Sequence, residues 1–321
     1  MNLPGSSVIN DRINALRDQL GEALRDRVVG PDAEQRRQSI MDAQGPRWFA
    51  DDRPIRIVHM DASMFIGGLR ALLLQTLHPL AMAGVANHSD YRTDPWGRLQ
   101  RTADFLASTT FGPEQEAQRI IDRIKHVHNS VQGTASDGRP YSANDPHLLR
   151  WVHVAEVDSF LSAHTRYGQQ KLTQEQRDGY VEDMSLIAAK LGVTAPPKNE
   201  QALKDQLRSF KGELRSTAES RDAVKYLLFS PPLPYPARAA YYALAAATIS
   251  IAAVVAVAAA TIAAAAVAAA TVAAVAAAAV SSAAIAAVAA ATIAAAAVAT
   301  ATVAAAAVAT VATATIAAAT V

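Results

Sequence analysis

The sequence contains no cysteine. That excludes disulfide frameworks, zinc ribbons, iron–sulfur ligation and thiol catalysis, and it leaves His, Asp, Glu and Met as side chains able to hold a metal. An excess of charge of either sign is missing too: 30 basic residues stand against 29 acidic ones, a formal net charge of +1. Such a balance gives no electrostatic footprint for nucleic acid, so no nucleic-acid partner is expected. The opening MNLPGSSVINDR has no basic start followed by an apolar stretch and does not read as a secretory signal, which makes a cytoplasmic location the expectation. No P-loop, GxGxxG or HExxH motif occurs, which removes the familiar phosphate, dinucleotide and zinc-protease readings. GxSxG is absent, so a hydrolase elbow has no support. The carboxylates are scattered over helix faces, with no inward pair of the glycosidase kind.

The C-terminal quarter lacks the most. From Ala239 onward there is no charged residue, no Gly and no Pro, and from Ala245 to Val321 only Ala, Val, Ile, Thr and Ser occur. The run is far longer than the ~20 apolar residues of one membrane span. It has no turn residues, no Lys or Arg to orient loops, and no aromatic belt beyond Tyr241 and Tyr242. Repeated AAAAV and ATIAAAAV units read as low complexity rather than selected packing. Residues 239–321 are therefore expected to be a helical, uninformative tail, with a helical core or a membrane anchor as the other readings. Without that run, apolar and charged residues stand near the averages of globular domains, enough to bury a core.

Helical spacing dominates what is there. Ile9, Ile13, Leu16, Leu20 and Leu24 lie on one stripe, and Gly30-Pro31 ends it. Asp61 is placed to N-cap a helix running through Leu77 and ended by Pro79. Asp94-Pro95 pairs a cap with proline at the first helical position and opens a helix to about Thr110. After Gly112-Pro113 a helix runs from Glu114 to Val131, and Gly133 to Tyr141 reads as a loop. Asp145-Pro146 repeats the cap signal for a helix to Tyr167, with Gly168 beyond its end. Thr173 and Gln176 form a capping box for a helix ending near Leu191-Gly192. Leu203, Leu207, Phe210 and Leu214 mark another helix, Val224 to Phe229 a shorter one, and PPLPYP at 231–236 a polyproline-like exit. No convincing alternating strand is found. The predicted fold is all-α, a globin-like or orthogonal packing of helices.

Two helices carry the candidate chemistry. Ala117, Ile121, Ile124, His128 and Val131 share one stripe, so His128 points to the apolar side, whereas His126 lies roughly 200° round with Asp122 and Arg119. The two cannot ligate one metal from a regular helix. His128 reads either as a core histidine bonded to a carbonyl or as a ligand, since a neutral imidazole in an apolar pocket suits haem iron. Arg98 and Thr102, four apart, share a face that Thr109 continues. They suit an anionic group and a polar ligand, or else Arg98 pairs with a carboxylate and Thr102 bonds its own helix. Gly67-Gly68, mid-helix, suits close approach of a flat ligand or of another helix. His78, before Pro79, and His88, in a loop, read as structural caps, and His153 as packing.

The stretch from Arg56 to Gly112, RIVHMDASMFIGGLRALLLQTLHPLAMAGVANHSDYRTDPWGRLQRTADFLASTTFG, resembles the family of the latex-clearing rubber oxygenases and the ER-bound oxygenase of mycophenolic acid biosynthesis. It is most similar to the large actinobacterial branch of MpaB-like oxygenases. The resemblance continues through HVHNSVQG, GRPYSANDPHLLRWVHVAEVDSFL and RYG and covers about Arg47 to Arg238. It implies a globin-like domain binding b-type haem, with an Arg-x-x-x-Thr pair and a later His-x-x-Val-x-Gly whose His ligates the iron. Here these are Arg98 and Thr102, and His128 with Val131 and Gly133. Arg98 and Thr102 are then the expected catalytic pair, His128 the metal ligand, and all three cofactor contacts. The implied division is an N-terminal helix and linker over 1–46, a haem-binding domain over 47–238 and the tail over 239–321.

One position departs from the rubber-oxygenase branch, where a Lys before that Thr reaches the distal iron position. Here it is Arg101. Arg stays protonated and offers no lone pair, which leaves the distal side open or held by water or another residue. The resemblance implies dioxygen and a small hydrophobic substrate, with alkene or isoprenoid cleavage as the reaction. A peroxidase-like haem enzyme, a non-catalytic haem carrier or sensor, and a helical protein with no cofactor are the other readings.

Overall fold

The computed structural model describes residues 33–230, 233 and 238–251. The Ile9–Leu24 stripe, most of PPLPYP and the run after Ile251 lie outside the described residues. The described chain is all-α, as expected, apart from one short hairpin. Its helices in chain order are α1 (Ala33–Met41), α2 (Pro54–Met60), α3 (Met64–Gln75), α4 (Pro79–His88), α5 (Pro95–Phe111) and α6 (Glu114–Ser130). After the hairpin come α7 (Pro146–Tyr167), α8 (Gln174–Leu191), α9 (Glu200–Ser209) with a 3₁₀ turn (Phe210–Gly212), α10 (Ala218–Phe229) and α11 (Arg238–Ile251).

Local signals set the helix starts. Asp94 Oδ1 accepts from Gly97 N at 2.9 Å and Asp145 Oδ1 from His147 N at 2.8 Å, each followed by proline at the first helical position. Thr173 and Gln176 close the expected capping box at α8, whose end is Gly192 at φ +108°, the left-handed conformation that glycine adopts freely. Gly168 does follow α7, but in an extended conformation. Asp61 caps the turn before α3 rather than the helix: Oδ1 accepts from Ser63 N, while Oδ2 accepts from Gln169 N in the α7–α8 loop.

Three differences from the sequence reading have local causes. Helices α2 and α4 each open on a proline without a side-chain cap, so their starts carry no polar signal. Pro79, expected to end a helix, also begins one. The predicted loop from Gly133 to Tyr141 holds a two-stranded antiparallel hairpin, β1 (Gln132–Thr134) and β2 (Pro140–Ser142), with Gly133 opposite Tyr141. Three residues per strand are too few for alternation to register, and the Asp137-Gly138 turn, with Gly138 at φ +84°, closes it.

The long helix α7 is the spine. α3 lies against it so closely that a Cβ on Gly67 would stand 2.6 Å from the Phe160 ring and 2.9 Å from the Phe160 Cα. The mid-helix glycine thus serves helix packing, not a flat ligand. Arg70 and Asp158 form an ion pair across the same contact at 2.7 Å, and Arg70 also donates to Ser159 Oγ. The main core gathers Trp151, Val154, Val157, Tyr180, Met184, Leu203 and Phe210 around α7 and α8. A second cluster joins Leu69 and Leu73 of α3 to Val224 and Leu228 of α10 and to Ala245 of α11. The start of the alanine-rich run is therefore packed: Ala245 and Thr248 are buried, and Tyr241 OH donates to Leu227 O. Among the described residues no single helix is long and apolar enough to cross a membrane.

Candidate functional site

Helices α5 and α6 pack on each other across the Gly112-Pro113 corner and carry the three residues singled out by sequence. His128 stands in the last turn of α6. It is half-buried while its neighbours His126 and Val127 are exposed, so the stripe argument orients the helix correctly. Its Nδ1 is enclosed and has no hydrogen-bond partner among the described residues. Burial pushes the ring below the ordinary histidine range, partly opposed by a side-chain hydrogen bond with Asn144. No carbonyl among the described residues holds that Nδ1.

Arg98 is half-buried on the wall of a narrow cleft between α3, α4, α5 and α10, beside Gln75, Thr76, Met82 and Tyr91. Burial and then the nearby Arg101 draw its guanidinium below its ordinary range. No carboxylate among the described residues pairs with it, so the expected alternative of a structural ion pair is not what is observed. Arg101 instead pairs with Asp94 at 3.2 Å on the exposed face. Thr102 is exposed, and its Oγ1 donates to the Arg98 carbonyl at 3.0 Å, the back-bond within its own helix. Thr109 does the same, to Phe105 O at 2.8 Å. Arg98 and Thr102 are thus joined through the backbone, while His128 is not on the wall of the Arg98 cleft.

Two clusters escaped the sequence reading. His59 Nδ1 lies 2.7 Å from Thr110 Oγ1 and its Nε2 3.3 Å from Tyr180 OH. Burial holds this imidazole down to about 3 and pushes Glu156, whose charge acts on the same tyrosine, up to about 7. The other cluster joins His78, His147 and Glu213. His147 Nε2 lies 2.8 and 3.0 Å from the two Glu213 oxygens, and His78 Nε2 lies 3.3 Å from Oε2. His78 occupies the N-cap position of α4 but makes no cap bond with its side chain. These groups come from segments far apart in sequence, so no local spacing announces them. His153 is buried in α7, as the packing reading has it, and is pushed down to about 4; His88 is not a loop cap but the last residue of α4, and its Nε2 meets Tyr141 OH at 3.1 Å.

A family model described as the ER-bound oxygenase mpaB/B'/rubber oxygenase, catalytic domain, matches residues 55–316. The matched span takes in the described helices from α2 to α11 and continues through most of the alanine-rich run. No curated protein and no solved structure matches the chain.

Proposed function

We propose that this chain, which belongs to the ER-bound oxygenase mpaB/B'/rubber oxygenase catalytic-domain family, is an oxidoreductase that uses b-type haem and dioxygen on a small hydrophobic substrate. Family membership makes it an oxygenase by kinship. Haem, the iron ligand and oxidative cleavage of an alkene or isoprenoid double bond are the finer reading, and a globin-like helix arrangement belongs with them.

The observation that carries the haem reading is the enclosed, unpartnered Nδ1 of His128. A neutral imidazole with a free lone pair in a partly desolvated place is the donor that haem iron takes on one side. Arg98 lines a different cleft from His128, and its half-buried guanidinium without a carboxylate partner among the described residues suits an acidic edge such as a propionate. Thr102, one turn on, has its hydroxyl engaged by the Arg98 carbonyl, and its contribution is to hold that turn of α5. When bound, haem supplies the activation of dioxygen, and the protein supplies the axial ligand, the charge near the rim and the dryness of the pocket. Arg101, tied to Asp94, stands outside that chemistry.

The test is the visible spectrum of the full chain reconstituted with haem, oxidised and reduced, beside His128→Ala and His126→Ala. The expected result is a Soret band that shifts or is lost only in His128→Ala, followed by oxygen-dependent carbonyl products in an alkene screen. Wild-type protein without a Soret band overturns the haem reading. A cytoplasmic location is part of the same proposal. Cell fractionation that places the protein in the membrane pellet would favour the anchor reading of the tail instead.

A further inference from the structure

We propose that His78, His147 and Glu213 form a binding site for a first-row transition-metal dication, zinc above all, separate from His128 and sharing no residue with it. Three elements converge there: the α3–α4 corner, the first turn of α7 and the exit of the 3₁₀ turn. One donor atom from each lies within 4.8 Å of the others. Imidazole and carboxylate together are the donor set of zinc and of non-haem iron, whereas magnesium and calcium prefer an all-oxygen shell.

The site is built rather than incidental. His78 is 1% exposed, and its Nδ1 has no partner among the described residues. Its ring lies against Trp151, and that of His147 against Phe210 at 4.8 Å, so the donors sit on an apolar wall. The backbone on both sides is pinned: Met82 N donates to His78 O at 2.9 Å, and Arg215 N donates to Leu77 O at 2.8 Å, which stitches the Glu213 segment to the residue before His78.

The metal-free geometry is contracted. Tetrahedral zinc with bonds near 2.0–2.2 Å spaces its ligand atoms roughly 3.3 Å apart, so the His147–Glu213 pair opens by about half an ångström on binding. A metal on Nε2 requires the single His147 proton to sit on Nδ1, where Arg150 Nη2 now stands at 3.2 Å. Arg150 is half-buried and swings off. Arg139 is the other cation that bears on His78. Three protein donors leave one coordination position for water.

Chelator-treated full chain titrated with Co²⁺ and Zn²⁺ tests this, read by the d–d absorption of Co²⁺ and by metal content per chain. Wild type is expected to hold one ion. His147→Ala and Glu213→Gln are expected to weaken binding by about tenfold or more, the scale of loss seen even for groups that only support a ligand. His126→Ala is expected to change nothing, and Arg150→Gln to bind as tightly as wild type or more so. Circular dichroism checks each variant, and if His147→Ala fails to fold, Glu213→Gln decides. Wild type that takes up no ion, or uptake unchanged in both ligand variants, overturns the proposal. The Soret spectrum of the same samples reports the haem reading separately, because cobalt and zinc uptake does not require His128.

Discussion

Glu156, midway along α7, has its carboxyl pushed by burial from an ordinary 4.5 up to about 7. The folded chain keeps that proton while the unfolded chain loses it, so this residue withdraws stability as the pH rises from about 4.5 through 7. His59 and His153, held down to about 3 and about 4 from 6.5, act in the opposite sense. They stay neutral while the unfolded chain takes up protons, so their contribution is intact above 6.5 and is lost as the pH falls below it. Glu156→Gln removes the first effect alone. Its stability relative to wild type is expected to rise by roughly 1–3 kcal/mol between pH 5 and pH 8, and urea unfolding at both values measures it; no change in the difference would refute it. Residue by residue, the sequence was legible where a stripe decides orientation. Steps of three and four separate His128 from His126, and exposure follows that separation. It left both readings of Thr102 open, because a hydroxyl facing a ligand and one bonding its own helix have the same spacing. Nor did it single out His147 or Glu213, whose partners are brought by the fold.

At the scale of elements, two adjacent glycines in α3 have opposite roles. Gly67 meets the α7 backbone, so Gly67→Ala forces the helices apart and is expected to cost about 1–3 kcal/mol. A Cβ on Gly68 would find its nearest atom, on the Phe160 ring, at 3.9 Å. Gly68→Ala is therefore expected to stabilise, by up to ~1 kcal/mol from helix propensity. Chemical denaturation of the two variants separates them, and equal signs would contradict this packing. Helix starts were readable where Asp or Thr caps a first turn, because that signal lies within four residues. Starts made by proline alone were not, and neither was a hairpin of two three-residue strands.

Across the whole molecule, the alanine-rich run does not begin where packing ends. Ala245, Thr248 and Ile251 are buried, and α11 covers Leu69, Leu73 and Leu228. Composition could not separate this packed first part from the repeats that follow, since both use the same few residue types. A chain ended before Arg238 is expected to melt at a lower temperature and to bind more of an apolar dye than the full chain. Equal melting temperatures would show that α11 adds nothing to the second core. The all-α class was legible from periodicity throughout, while the meeting of α3, α7 and α11 depends on contacts that no window of sequence contains.

The short bond from Arg215 N to Leu77 O has a consequence for how the protein breathes. Leu77 precedes His78, whose carbonyl starts α4 and whose ring meets Glu213, only two residues before Arg215. Fraying α4 at its start and lifting the 3₁₀ exit away therefore disturb the same few bonds. The two segments are therefore expected to open as one cooperative unit, with the amides of Met82 and Arg215 exchanging with solvent at matching rates in a hydrogen-exchange experiment.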